Sequence, residues 1–167
     1  MMNNLNVVIT GGCGFIGHHF VEHIHKNTNW NICILDKLSY SSNGFERLRD
    51  SGIIDERIKI FTIDLSHKLP PGIIYEIGEP DIIFHLAADT HVDNSIIDPI
   101  SVIKNNVMST AHLLEYAKSL KNLKLFLYFG TDEVYGNAPN NIKFKEDDRH
   151  NPGNPYSASK SASEQLC

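Results

Sequence analysis

The chain has 167 residues, 41% hydrophobic and 21% charged, a balance that permits one ordinary globular core. Twenty acidic and 15 basic residues give a net charge of −5, which argues against a nucleic-acid-binding protein with a basic face. Three cysteines without a C-x-x-C pair argue for a reducing, cytoplasmic compartment, and no apolar run approaches the length of a membrane span.

Short apolar runs alternate with longer amphipathic runs, which is typical of a parallel α/β sheet. We predict strands at residues 6–10, 31–36, 58–63, 81–86 and 123–130. A helix follows the first strand and ends near residue 27. A second, longer helix is predicted over residues 100–120, where Ile103, Val107, Ala111 and Leu114 mark an apolar stripe at helical spacing.

The polar segment at residues 136–153 indicates a loop. A last helix is predicted to begin near Pro155, with Asn154 as its cap. The pattern as a whole predicts a Rossmann-type, doubly wound parallel sheet.

A glycine-rich loop, GGCGFIG at residues 11–17, directly follows the first predicted strand and opens a helix. Its glycines satisfy G-x-x-G-x-x-G as Gly11, Gly14 and Gly17, and G-x-G-x-x-G if Gly12 replaces Gly11. Glycines let backbone N–H groups approach a pyrophosphate, and a helix N-terminus favours its negative charge. The strand–loop–helix context therefore predicts a dinucleotide cofactor.

The ends of the next three strands complete this predicted site. Asp36 ends the second strand, and its carboxylate would accept from ribose hydroxyls and repel a 2′-phosphate, which favours NAD over NADP; the adjacent Lys37 weakens that preference. Asp64 ends the third strand, where it could accept from the adenine amino group or simply cap the next segment. Small residues in the run Leu86-Ala87-Ala88 would let the cofactor cross the fourth strand's end.

Tyr156 and Lys160 are separated by one helical turn and face the same way. An ammonium near a phenol favours the phenolate, so Lys160 is expected to lower the pKa of Tyr156. Just after the fifth predicted strand, Thr131-Asp132-Glu133 places an acid and a base side by side, where they could flank one substrate bond.

Five segments, VVITGGCGFIG, LDKLSYSSN, HLAADTHVDNSI, FGTDEVYG and NPYSASKSASEQL, resemble the extended short-chain dehydrogenase/reductases, and among them the NDP-glucose 4,6-dehydratases. The discriminating residues are Asp132 and Glu133, because the related 4-epimerases carry small hydroxyl residues there. The resemblance implies a lyase that uses NAD to convert UDP- or dTDP-glucose to the 4-keto-6-deoxy sugar nucleotide, in deoxysugar biosynthesis of the rhamnose type.

The same resemblance implies a role for each catalytic residue. Tyr156 takes the proton of the sugar 4-hydroxyl as hydride passes from C4 to NAD⁺, and Thr131 hydrogen-bonds the same oxygen. Glu133 removes the C5 proton, Asp132 donates to the departing C6 hydroxyl, and hydride returns to C6. Lys160 completes the catalytic set.

The fingerprint and the resemblance together assign residues near most of the predicted strand ends to the NAD site. These are Gly11, Gly14, Phe15, Ile16, Gly17, Asp36, Lys37, Ser39, Asp64, Leu65, Leu86, Ala87, Ala88, Asn105, Tyr156 and Lys160. Asn105 stands where relatives often carry Thr near the cofactor. Thr90 matches a Ser or Thr that contacts substrate in the family, as Thr131 does.

The resemblance also implies that residues 1–167 are the NAD-binding domain of a larger fold, because the chain ends inside the helix of Tyr156 and Lys160 and lacks the C-terminal substrate domain. Whether this part alone is active stays open. The predicted helix at residues 100–120 and the last predicted helix resemble those that pair in family homodimers, although their apolar stripes could equally belong to the core.

Two other functions stay open: a 4-epimerase or reductase of the same superfamily, and a non-catalytic NAD-binding fragment. HFVEH at residues 19–23 fits an inverted zinc-protease motif, but no third ligand is evident, so no metal site is predicted. For His85, a satisfied structural role is favoured over catalysis.

Overall fold

The computed structural model describes residues 4–39, 42–139 and 143–167. Its strands are β1 (Asn6–Thr10), β2 (Asn31–Asp36), β3 (Ile58–Thr62), β4 (Ile82–His85) and β5 (Leu125–Tyr128). Its helices are α1 (Phe15–Asn27), α2 (Glu46–Asp50), α3 (Pro71–Ile77), α4 (Val92–Ile97), α5 (Pro99–Ser119) and α6 (Pro155–Leu166). A 3₁₀ turn covers Asp132–Tyr135.

The strands form one parallel sheet in the order β3-β2-β1-β4-β5. The chain moves outward from β1 in both directions, so the sheet has a switch point between β1 and β4, where open α/β sheets bind ligands. Val21 and Ile24 of α1 belong to the core on one face, while Leu113 and Tyr116 of α5 belong to the core on the other. The predicted doubly wound sheet is confirmed.

Strand positions follow the predicted ones, with small differences at the ends of β3, β4 and β5. The helices α2, α3 and α4 and the 3₁₀ turn were not predicted. Each is seven residues or shorter, so none carries the repeated apolar spacing that identifies a longer helix.

The predicted helix is confirmed as α5, but its apolar stripe is not the face that the core buries. Ile103 is 43% exposed, and the rest of the stripe is only partly buried. The buried face is instead rich in polar side chains that bond to β4, α6 and the helix's own carbonyls, which hydrophobic spacing could not reveal; it consists of Val102, Asn106, Ser109, Thr110, Leu113, Tyr116 and Ala117.

The start of α6 agrees with the prediction, with Pro155 in its first turn. The side chain of Asn154 accepts from the Ser157 N–H at 2.8 Å, and the Ser157 hydroxyl accepts from the Asn154 N–H at 3.2 Å, which completes a capping box. The described part of the segment before it is irregular, as predicted. None of the helices in the described ranges combines the length and apolar character needed to cross a bilayer.

Candidate active site

The glycine-rich loop brings the end of β1 into close contact with the end of β4. Gly11 has a positive φ of 69°, and a Cβ there would lie 2.8 Å from backbone atoms of Ala87. A Cβ on Gly17 would collide with the carbonyl oxygen of Gly11, which also accepts from the Gly14 N–H at 3.1 Å. Both positions therefore require glycine, and the loop leaves the start of α1 open to a ligand.

A cavity of about 290 Å³ lies along the carboxyl ends of the strands. All the residues predicted for the NAD site line it except Asp64. It is also lined by residues that were not assigned to that site, namely Leu35, Ser42, Ile63, Thr90, Ser109, Phe129 and Gly130.

Asp36 is held firmly at the edge of this cavity. Its side chain is 7% exposed, and its two carboxylate oxygens accept from the N–H groups of Cys13 at 2.9 Å and Leu38 at 2.8 Å. Each oxygen keeps a second lone pair, so the carboxylate can still accept from ribose hydroxyls.

Asp64 makes the capping contact rather than lining the cavity. Its Oδ1 accepts from the Ser66 N–H at 2.8 Å. Burial acts to raise the pKa of Asp64, but the hydrogen bonds from Ser66 outweigh it and leave that pKa below its usual value. The capping contact is therefore present, and the contact of Asp64 with the adenine amino group stays a prediction.

Tyr156 and Lys160 both face the interior from α6. The Lys160 Nζ donates to the Phe129 carbonyl oxygen at 2.6 Å and lies 4.2 Å from the centre of the Tyr128 ring. Burial lowers the pKa of Lys160 to about 8.

The pKa of Tyr156 is raised, contrary to the expectation from the sequence. Burial is the main cause, and the carboxylates of Glu133 and Asp132 add to it, while a hydrogen bond with Thr131 opposes them. The Lys160 ammonium is directed to the end of β5, and it is not among the groups that set this pKa.

Thr131 and the 3₁₀ turn bring the acid–base pair beside α6. The Thr131 hydroxyl accepts from the Glu133 N–H at 3.4 Å, and Glu133 Oε2 accepts from Asn154 Nδ2 at 3.3 Å. Asp132 and Glu133 are exposed. Thr131 and Asp132 line a second cavity of about 420 Å³, which shares Gly130 with the first.

Asn106 is a structural link that the sequence analysis missed. It is 2% exposed, and its Nδ2 donates to the Asp89 carbonyl at 3.0 Å and to Ser159 Oγ at 2.9 Å. Its Oδ1 accepts from the Asp89 N–H at 2.8 Å. One buried amide thus joins the segment after β4 to the helix that carries Tyr156. Asn106 lies four residues after Val102 and seven before Leu113, and this helical spacing could have indicated that it shares their buried face.

His85 has the satisfied structural role that was predicted. The Thr110 hydroxyl donates to the Asn106 carbonyl, so it accepts from His85 Nε2, 3.0 Å away. With the proton of the neutral ring on Nε2, Nδ1 accepts from the Thr10 hydroxyl at 2.7 Å, and that hydroxyl accepts from the Ala87 N–H. Burial lowers the pKa of His85 to about 3, which keeps the ring neutral.

Within residues 4–39, 42–139 and 143–167, no group of three His, Cys, Asp or Glu side chains is placed to hold a metal ion.

The family described as GDP-mannose 4,6-dehydratase matches residues 8–167. The chain belongs to this family. It is a dehydratase family within the extended short-chain dehydrogenase/reductases, as the sequence resemblance implied.

Relatives and solved structures agree with this assignment. The chain is 37% identical to the dTDP-glucose 4,6-dehydratase of Salmonella typhimurium over 97% of its own length and 49% of the relative's. It is 39% identical to the dTDP-D-glucose 4,6-dehydratase of Dictyostelium discoideum over 96% of the chain and 39% of that protein. The chain therefore spans half or less of the length of these relatives.

Two solved structures show the same fold. DesIV, the dTDP-glucose 4,6-dehydratase of Streptomyces venezuelae solved with NAD bound, has a TM-score of 0.85 and 31% identity over 96% of this chain and 49% of that one. The UDP-N-acetylglucosamine 4-epimerase of Methanobrevibacter ruminantium M1 has a TM-score of 0.84 and 31% identity over 99% of this chain and 50% of that one. The fold is thus common to dehydratases and epimerases, and only the site can separate them.

Proposed function

We propose that residues 1–167 form the NAD-binding, acid–base part of an NDP-glucose 4,6-dehydratase, which converts UDP- or dTDP-glucose to the 4-keto-6-deoxy sugar nucleotide. The observation that carries this proposal is the Asp132-Glu133 pair beside Tyr156, close enough for both carboxylates to raise the pKa of the phenol. The relatives named dTDP-glucose 4,6-dehydratase support it.

The cavity fits NAD. Gly11 and Gly17 keep the loop open where a Cβ would fill it, and Asp36 offers an anionic acceptor for ribose hydroxyls. NAD, when bound, supplies the acceptor for hydride from the sugar C4 and the donor that returns hydride to C6. Lys160 and Asn105 line the same cavity and contribute to binding.

Tyr156 acts as the base for the sugar 4-hydroxyl. Its raised pKa means that little phenolate is present near neutral pH, so deprotonation needs added positive charge near its oxygen. Thr131 hydrogen-bonds the phenol and can hold the same substrate oxygen during proton transfer.

Glu133 and Asp132 carry out the elimination. Glu133 removes the C5 proton, and its contact with Asn154 Nδ2 orients the carboxylate from the cap of α6. Asp132 donates a proton to the departing C6 hydroxyl, which leaves as water. Thr90, which lines the same cavity as the residues predicted for the NAD site, contacts the substrate together with Thr131.

A 4-epimerase is the second candidate, because the fold matches the epimerase from M. ruminantium as well as it matches DesIV. An epimerase has no need for an acid and a base at C5 and C6, so Asp132 and Glu133 favour the dehydratase. A non-catalytic NAD-binding fragment is the third.

The protein acts as a homodimer in the cytoplasm, on deoxysugar precursors of the rhamnose type. Exposed apolar side chains on α5 support pairing through that helix and α6: Ile100 is 73%, Ile103 43% and Met108 40% exposed. The free thiols of Cys13 and Cys33 are in keeping with a reducing compartment.

The first test is mass spectrometry of the chain incubated with NAD⁺ and either dTDP-glucose or UDP-glucose, where loss of one water identifies both the reaction and the nucleotide. A product that retains the C6 hydroxyl, with inverted C4, would favour the epimerase. NAD binding without turnover, in a chain known to be complete in its source, would favour the non-catalytic fragment.

The second test concerns the assigned roles. Glu133→Gln should abolish exchange of the C5 hydrogen with solvent deuterium, whereas Asp132→Asn should slow water loss and retain that exchange. Exchange at the parent rate in Glu133→Gln would contradict the assignment of the base.

A further inference from the structure

The side chain of Lys37 reaches from the end of β2 to the end of β4. Its Nζ donates to Asn105 Oδ1 at 2.8 Å and lies 3.2 Å from each oxygen of the Asp89 carboxylate. Because β1 lies between β2 and β4, these contacts cross the middle of the sheet. The bonded partners of the ammonium therefore follow β4 in the chain, whereas β3 lies on the other side of β2.

The two partners of Lys37 are fixed by a common side chain. Asn106 Oδ1 accepts from Asn105 Nδ2 at 3.1 Å and from the Asp89 N–H at 2.8 Å. Asn106 is itself almost fully buried. Lys37 thus bonds to a preformed acceptor pair, with an anion and an amide oxygen to take up its three N–H donors.

This contact matters for the choice between NAD and NADP, which differ by a phosphate on the adenosine 2′-oxygen. An acidic residue at the end of β2 disfavours that phosphate, whereas a cation nearby accommodates it. The chain carries both residue types in succession, as Asp36 and Lys37. Which of them governs the site depends on where the Lys37 charge is directed.

We propose that Asp89 and Asn105 determine the cofactor specificity, by holding and neutralising Lys37 away from the 2′-phosphate position so that Asp36 alone acts there. This inference rests on the NAD site proposed above. Asp89 is not among the residues that line the cavity, so its substitution would release Lys37 without removing part of the cavity wall.

The test is calorimetric titration of the full chain with NAD⁺ and with NADP⁺. In Asp89→Asn, the released Lys37 should attract the 2′-phosphate and lower the ratio of the NADP⁺ to the NAD⁺ dissociation constant about fivefold or more. Lys37→Met and the double variant Asp89→Asn/Lys37→Met should both keep the parent ratio, because neither has a cation to release. Asp93→Asn, at an exposed carboxylate of α4, is the matched control.

An unchanged ratio in Asp89→Asn, with NAD⁺ still bound, would overturn this inference and leave the proposed function intact. A lower ratio that persists in the double variant would also overturn it, since Lys37 would not be the cause. If Asp89→Asn does not fold, Asp89→Ser should give the same lower ratio. A parent chain that binds no NAD⁺ would contradict both proposals.

Discussion

The Lys160 ammonium donates to the Phe129 carbonyl oxygen at 2.6 Å, and this contact ties α6 to the end of β5. Lys160 is 4% exposed, so the helix that carries Tyr156 is held by a cation that has been removed from water. Burial lowers the pKa of Lys160 to about 8. Lys160 thus positions the catalytic helix, but the burial of its charge lowers the stability of the fold.

Lys160→Met should stabilise the fold at neutral pH. The pKa of Lys160 lies below its ordinary value of 10.5, so between about 8 and 10.5 the unfolded chain binds more protons and the parent gains stability as pH rises. Met removes the charge, and we expect it to raise the free energy of unfolding by about 1–2 kcal/mol at about pH 7, after the lost hydrogen bond is counted.

Urea titrations of the parent and of Lys160→Met between about pH 7 and about pH 10 measure the free energy of unfolding of each. The difference between the two proteins should narrow as the pH rises. A difference that stays constant over the range would contradict this expectation. Lys118→Met, at an exposed lysine of α5, should show no such pH dependence.

His85→Gln should reduce the sensitivity of the fold to acid. The pKa of His85 is lowered to about 3, so the unfolded chain binds a proton at a pH where the folded chain does not, and the parent loses stability as pH falls below 6.5. Glutamine does not titrate but keeps a donor and an acceptor. Between about pH 7 and about pH 4, we expect the free energy of unfolding to fall by about 2–3 kcal/mol less in the variant than in the parent.

Denaturant titrations at the two pH values measure this difference. His23→Gln, at an exposed histidine of α1, should keep the acid response of the parent. An equal response in His85→Gln would mean that other groups govern the acid transition.

Asn106→Leu should destabilise the protein by about 2–4 kcal/mol, because it leaves the Asp89 N–H and carbonyl without their partner. Ser159→Ala removes one hydrogen bond of the same side chain and should cost about 1 kcal/mol. The free energy of unfolding from urea titration gives both values. Equal losses would show that the contacts to Asp89 add nothing beyond the link to α6.

Gly17→Ala should disrupt the cofactor loop, because the new Cβ would collide with the Gly11 carbonyl oxygen. We expect NAD⁺ binding to be lost in calorimetry and stability to fall by about 2 kcal/mol or more. Gly72→Ala in α3 is the matched control: its Cβ meets nothing within 4 Å, and the helix should gain up to about 1 kcal/mol. Unimpaired NAD⁺ binding by Gly17→Ala would contradict the proposed role of the loop.

The pattern along the chain was sufficient for the sheet and for most of the candidate site. Each strand contains a short apolar run, and the glycine loop has a fixed position after the first of them, so local order predicted β1 to β5 and the cavity edge. The same reasoning predicted the start of α6, because a capping residue and a proline act within a few residues of each other.

Contacts between distant parts of the chain could not be predicted in this way. The buried face of α5 is partly polar, because Asn106 bonds to Asp89 after β4 and Thr110 bonds to His85 on β4. The apolar spacing along the helix could not identify this face.

The sequence by itself therefore determined the strands, the loop and the presence of Tyr156, Lys160, Asp132 and Glu133. The tertiary structure decided which groups the charged side chains contact. Lys160 contacts Phe129 and Lys37 contacts Asp89, because electrostatic partners depend on the order of strands and helices in space rather than on distance along the chain.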